Sequence, residues 1–352
     1  MTPGSASLRR AADRVATLCH RIDEERQLRI ALLEEIRHGV AFNFYAWVLT
    51  DPESEVGSSP LAVVPALDDL PRLIRAKYLT TVNRWTALKR VATLVGATSG
   101  DRQASLMWRE LLSSYGVTDV ASLVFRDDHG CWGFLDLWRT AGAPPFSADD
   151  VAQLEALVDP ITRGLRRALG KTFDHIPAPE DRGGPVVMIL SPRLDVTAQT
   201  GAVENYLRTL LPPGDSRRPV PAGAYQVAAQ LLAVEEGVDA HPPSSRVHLG
   251  DGVWMTFRAA RVDTPGSKAE QDIAVTIELC SPAARRGLYG RCHGLSPREV
   301  ELVERLAQGA DTRTLARDLY LSEHTVQDHL KSIFAKTNTR NRRTLLSRAA
   351  GQ

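Results

Sequence analysis

Residues 295–349 read LSPREVELVERLAQGADTRTLARDLYLSEHTVQDHLKSIFAKTNTRNRRTLLSRA, and their capping and apolar residues predict four short helices. Ser296 is a good N-cap, Pro297 suits the first helical position, and Glu299 three residues on can close a capping box. Val300, Val303, Leu306 and Ala307 form the expected buried stripe, and Gly309 stops the helix. A second helix can be capped by Asp311 or Thr312 and buries Leu315, Ala316 and Leu319. A tight turn through Tyr320 and Leu321 reaches Ser322, the cap of a third, longer helix. There Val326, Leu330, Ile333 and Phe334 share one face, so His324, Gln327, Asp328 and Lys331 point away from it. The fourth helix runs from about Arg342 to Ala350, with Leu345, Leu346 and Ala349 on one side.

Two helices joined by a short turn, the second longer and polar outside, follow the helix-turn-helix plan. A four-helix mini-domain with solvated faces fits the same spacing. Charge leans toward the first reading. From Arg291 onward there are 11 Lys and Arg against 7 Asp and Glu, a local +4 in a chain whose net charge is +1. A basic tail on a neutral-to-acidic body suits a module that touches a polyanion, although many solvated helices are mildly basic.

The segment also resembles the LuxR-type helix-turn-helix domain across its full length. The LSPRE start, the Gly after the first helix, LSEHTVxxH, IFAK and the following Arg cluster stand at that family's spacing. The resemblance implies double-stranded DNA as a partner and a recognition helix opened by Thr325-Val326. It places His324, Gln327, Asp328 and Lys331 near base edges. The family often has Lys or Arg where Gln327 stands, so this chain departs there. Gln can pair with adenine, and Asp can accept from the cytosine amino group. Asp328 also repels phosphate, which sharpens selectivity rather than affinity. Thr325, Lys336, Arg340, Arg342 and Arg343 are the expected phosphate contacts. The family pairs its fourth helices, which here implies a homodimer contact through Leu345 and Leu346.

Upstream, no Pro or Gly interrupts the chain between Ser5 and His38. Leu8, Ala11, Val15, Leu18, Ile22, Glu25, Arg29, Leu32 and Ile36 form a heptad seam with two charged positions. Either one long amphipathic helix lies on its own domain, or it pairs with its copy through Val15, Leu18 and Ile22, with Glu25 and Arg29 marking register. GVAFNFYAWVLT predicts a strand, and ASLVFRDDHGCWGFLDLWR a hairpin around Asp127-Asp128-His129-Gly130. Between them lie polar loops and the helix-like SLMWRELLSSYG. A helix over Ala148–Leu169 carries Pro160, which should kink it.

A Pro/Gly/charge linker covers 171–183. From 184 to 282, PVVMILSPRLDVTAQT predicts two short strands, GAVENYLRTLL and AYQVAAQLLAVEEG two helices, RVHLGDGVWMTFRAARV a hairpin, and DIAVTIELC a last strand. The segment SPAARRGLYGRCHG then connects to the DNA-binding unit at 288–352. The expected fold is multidomain: α+β over 1–170, α+β over 184–282, and an all-α C-terminal unit. Residues ~8–170 resemble a GAF domain and ~184–282 a PAS-type domain. That resemblance implies dimerisation and a small-molecule effector site. Phe44, Trp47, Trp85, Phe125, Trp132 and Phe134 are the candidate pocket aromatics, although only one parity of each strand can face a pocket, and packing alone would also explain such rings.

The four cysteines form no CxxC pair, and His293 beside Cys292 lacks ligand companions, so neither metal nor cofactor is expected. No apolar run approaches the ~18 residues of a membrane span, and the amino end shows no signal-peptide core; the expected location is cytoplasmic. No nucleophile–base pair, paired-carboxylate arrangement, phosphate-cradling Gly loop or phosphoacceptor pattern has recognisable spacing. The leading expectation is a dimeric DNA-binding regulator rather than an enzyme. The alternative is a protein-interaction scaffold with a degenerate helix-turn-helix and ligand-free upstream domains.

Overall fold

The computed structural model describes residues 3–176, 186–201, 222–263 and 267–351. The helix expected at 201–211, apart from its first residue, and the linker beyond Ile176 lie outside them. The expected single amino-terminal helix is in fact two, α1 (Pro3–Arg21) and α2 (Glu25–Gly39). Glu24 breaks the run by turning its carboxylate onto the Arg26 and Gln27 amides as the cap of α2. The heptad pattern hid this break because the break falls between two seam positions.

Strands β1 (Phe44–Thr50) and β2 (Gly57–Val63), helix α3 (Leu70–Leu79), the short β3 (Ala92–Thr93) and α4 (Leu94–Ala97) follow. The hairpin β4 (Val117–Asp127) and β5 (Gly130–Thr140) and helix α5 (Ala148–Lys171) complete the first unit. Its antiparallel sheet has the order β2-β1-β5-β4-β3. Pro60 sits opposite Val48 on β2, which is an edge strand, so its missing N–H disrupts no inner ladder. Helix α5 packs on β4 and β5, α2 reaches β1 and β2 through Arg29, and α1 packs on α5 and α2. Gly164 of α5 lets α1 approach closely, since a Cβ there would stand 2.3 Å from Cys19 Sγ.

The second unit contains β6 (Val186–Leu190), β7 (Val196–Gln199), α6 (Ala222–Glu235), β8 (Ser244–Gly250), β9 (Val253–Arg261) and β10 (Ile273–Leu279). Its sheet order is β7-β6-β10-β9-β8. Counted within each unit, both sheets therefore run second, first, fifth, fourth, third. Asp251 and Gly252 both have positive φ in the turn joining β8 to β9.

The units share a buried interface in which α6 packs on α3 and β2. Among the ion pairs that cross it, two have both side chains buried. Asp51, 3% exposed, accepts from Arg246 Nε and Nη2, each at 2.6 Å. Arg84, also 3% exposed, holds Asp239 at 2.6 Å and the Gln230 side chain at 3.1 Å. Burial opposes the Asp51 charge, but the Arg246 fork holds its carboxyl below the ordinary carboxylate range.

The connecting segment SPAARRGLYGRCHG, for which no element was expected, is mostly helix, α7 (Pro282–Cys292), capped by Ser281 with Pro at its start. Then come α8 (Pro297–Ala307), α9 (Thr312–Asp318), α10 (Glu323–Thr337) and α11 (Arg342–Ala350). Where the parts meet, Phe173 after α5 stacks on Trp254 of β9 at 5.4 Å and meets Tyr289 of α7 edge-on at 5.3 Å. Arg285 lies over the Phe173 ring and donates to Gly252 O at 2.7 Å. All four cysteines are free thiols. Among the described residues, no helix is long and apolar enough to cross a membrane, and no His, Cys, Asp and Glu cluster is arranged for a metal.

Candidate nucleic-acid interface

Each C-terminal helix begins on a cap that its sequence supplies. Ser296 and Glu299 form the reciprocal capping box of α8, Asp311 accepts from Thr314 N at α9, Ser322 from Thr325 N at α10, and Asn341 from Thr344 N at α11. The buried stripe of α8 is shifted from expectation. Leu302, Val303 and Leu306 fill the core with Glu299, whereas Ala307 is exposed and Val300 partly so. In α10, Val326, Leu330 and Ile333 are 0–2% exposed and dock the helix against α8 and α9.

That docking turns the opposite face of α10 outward. The side chains of His324, Asp328 and Lys331 are 84%, 53% and 72% exposed, and Gln327 is exposed beside them. They are not independent. Asp328 accepts from Lys331 Nζ at 3.1 Å and lies 3.5 Å from His324 Nε2, so its negative charge is partly spent on its neighbours. Gln327 Nε2 reaches Thr312 Oγ1 at 3.4 Å.

The expected phosphate contacts divide into two sets. Arg340 and Arg343 are exposed. Lys336 instead binds Glu299 at 2.6 Å, Arg342 donates to Thr312 Oγ1 at 2.5 Å, and Thr325 Oγ1 lies 2.8 Å from Ser322 Oγ. Burial works against the Glu299 charge, but hydrogen bonds from Lys336, Ser332 and the Ser296 amide bring its pKa down to about 2. The capping carboxylate of α8 thus also ties α8 to α10. Spacing alone could not show this, because the two partners lie far apart in sequence.

Residues 293–349 match the family described as bacterial regulatory proteins, luxR family. The C-terminal segment is a LuxR-type helix-turn-helix domain. Among curated relatives, the chain is 37% identical over 131 residues to the "Probable HTH-type transcriptional regulator GfsR" of Streptomyces halstedii, covering 36% of this chain and 48% of that protein. It is 44% identical over 54 residues to the "Monoamine regulon transcriptional regulator" of Klebsiella aerogenes, 15% of this chain and 24% of that protein. The match thus spans about half of the first relative's length and a quarter of the second's. A solved structure, "SdiA in complex with octanoyl-rac-glycerol", aligns with 100% of this chain and 96% of that one, at 13% identity and a TM-score of 0.37. That likeness is loose.

Residues expected at dimer contacts are mostly used within the chain. Val15 and Leu345 are 0% exposed, the first on α1, which packs on α5 and α2, the second inside the LuxR-type domain and its packing on α7. Leu18, Ile22 and Leu346 are partly buried against the same core. Glu25 and Arg29 do not mark register on a seam. They form a buried ion pair, with Arg29 Nη1 donating to Ser59 O at 2.9 Å.

Strand parity rearranges the candidate pocket. A cavity of about 50 Å³ lies between the outer sheet face of the first unit, α3 and α6. Phe134 lines it, with Ala46, Val48, Tyr78, Trp138 and Gln226. Trp47 and Phe125 face the other way, 5.3 Å apart in the helix-covered core. Trp132 joins that core because β5 bulges there: Arg126 pairs with Cys131 and Phe125 with Gly133, leaving Trp132 between and flipping the parity. Trp85 stacks on Phe134 at 4.5 Å as packing, and Phe44 packs beside α3. Trp138, a strand aromatic not counted among the candidate pocket residues, lines the wall, and the sequence reading missed the buried Lys77–Asp136 ion pair at 2.7 Å beside it. The alternation of β5 would have placed both with Phe134.

Proposed function

We propose that the chain is a sequence-specific DNA-binding transcriptional regulator that acts as a homodimer, with α10 entering the major groove. The observation that carries this reading is the outward face of α10 within a LuxR-type domain: exposed His324, Gln327, Asp328 and Lys331 on a helix whose opposite face buries Val326, Leu330 and Ile333. Gln327 and Asp328 read base edges, Lys331 and His324 add donors, and Arg340 and Arg343 bind phosphates. Lys336, Arg342 and Thr325 serve chiefly to brace the domain. The two upstream units are read as GAF-like and PAS-like, and their shared strand order and α+β make-up support that reading. They supply dimer contacts and an effector site at the cavity between them. Trp138 Nε1 and Gln226 Oε1 on its wall, both buried, have no hydrogen-bond partner. Ligand pockets usually measure about 300–1,000 Å³, so a metabolite-sized occupant requires α6 to move away from α3.

In vitro selection from random duplex DNA with the full-length protein tests the proposal. It should recover a common half-site repeated in inverted orientation. Recovery of no shared sequence would reject it.

A further inference from the structure

We infer that Tyr320 contacts the sugar–phosphate backbone of bound duplex DNA, an inference that rests on the DNA-binding reading above. Helices α8 to α11 each run into a residue with left-handed backbone: Gly309 (φ 90°), Tyr320 (φ 55°), Asn338 (φ 49°) and Gly351 (φ 75°). After α9, the Leu321 N–H donates to Ala316 O at 2.8 Å across Tyr320, closing the turn. This position favours Gly, or failing that Asn, because a Cβ crowds the neighbouring carbonyl in the left-handed region. Three of the four helices obey that preference, and α9 ends on a tyrosine.

The Tyr320 side chain itself is left outside the packed domain. Tyr320 is 95% exposed, whereas the next most exposed large hydrophobic among the described residues, Leu279, is 56% exposed. An aromatic ring kept in a strained backbone and left in water points to an external partner. Its place says which one. Tyr320 stands two residues before Ser322, the cap of α10, at the entry to the recognition helix. Side chains there flank the phosphate rim of the groove that the helix enters. A tyrosine offers a hydroxyl to a phosphate oxygen and a flat ring to the deoxyribose. The turn is also braced, since Arg298 donates to Leu319 O and pairs with Glu301.

The test measures affinity of the full-length protein for the duplex recovered by the selection above, together with thermal unfolding, for wild type, Tyr320→Phe and Tyr320→Asn. Tyr320→Asn should bind about tenfold more weakly, while its unfolding midpoint stays level or rises because the strain is relieved. Tyr320→Phe should fall between. The salt dependence of binding should keep its slope, since a neutral hydroxyl releases no counterion. Wild-type and Tyr320→Asn chains that bind equally well overturn this inference alone. So does weakened Tyr320→Asn binding accompanied by a lowered midpoint, with Tyr320→Phe unaffected. A wild-type chain that binds no duplex removes the DNA reading and this inference together.

Discussion

Lys331 and Asp328 sit on the same exposed turn of α10, their charged ends 3.1 Å apart. For Lys331 to reach a base it must leave Asp328, and for Asp328 to reach a cytosine amino group it must approach phosphates that repel it. The two residues therefore have opposite effects on binding. Lys331→Ala should weaken binding to the selected site by roughly 1–3 kcal/mol. Asp328→Ala should raise affinity for unrelated duplexes while narrowing the gap between specific and nonspecific sites. Competition binding by fluorescence anisotropy measures both, and unchanged affinities would take these residues out of the contact set. The identities of the outward residues were legible because helical period fixes which side chains oppose Val326, Leu330 and Ile333. The commitment of Lys336 to Glu299 was not, because it depends on how α8 crosses α10.

At the level of elements, capping chemistry made the C-terminal helices readable. Ser-Pro at 296–297 and Asn341 ahead of Arg342 mark their starts. The same Ser-Pro signal stands at 281–282, at the start of α7, in a segment read only as a connection. Pro60 hid β2, since its edge position appears only once the sheet is assembled. Helix α7 also carries a pH dependence. His293 caps its end, against Tyr289 at a ring distance of 4.3 Å. Burial brings its pKa down to about 4, although Asp174 pulls the other way. An unfolded histidine titrates near ~6.5, so below that pH the unfolded chain takes up a proton the folded chain refuses. The stability from His293 is complete above about pH 6.5 and declines toward pH 4. Glu299, with its pKa lowered to about 2, loses its own contribution only below the range where an unfolded Glu titrates, about 4.3. Denaturant melts between pH 7 and pH 5 should therefore show falling stability in the wild type and a flatter profile in His293→Gln. Parallel profiles would place the acid sensitivity elsewhere.

Across the whole molecule, the LuxR-type domain does not hang on a free tether. Helix α7 joins it to both upstream units through Phe173, Trp254 and Tyr289, and Arg348 holds Asp174 at 3.0 Å. The upstream units are in turn locked by Asp51–Arg246 and Arg84–Asp239. Asp51→Ala leaves the Arg246 guanidinium buried without its main partner, which should cost about 3–5 kcal/mol in denaturant unfolding. A loss under about 1 kcal/mol would mean that water or Glu53 takes over the charge. None of these long-range pairings, nor the shared strand order of the two sheets, was legible in the sequence. Local pattern shows that a strand exists but not which strand lies beside it. The central claim, that the outward face of α10 binds duplex DNA, is tested most directly by the salt dependence of full-length binding to a selected duplex. The account predicts that log affinity falls linearly with log salt, with a slope of about −0.9 for each phosphate neutralised and of several units for a dimer. Affinity that is flat in salt would contradict it and favour a protein-interaction scaffold.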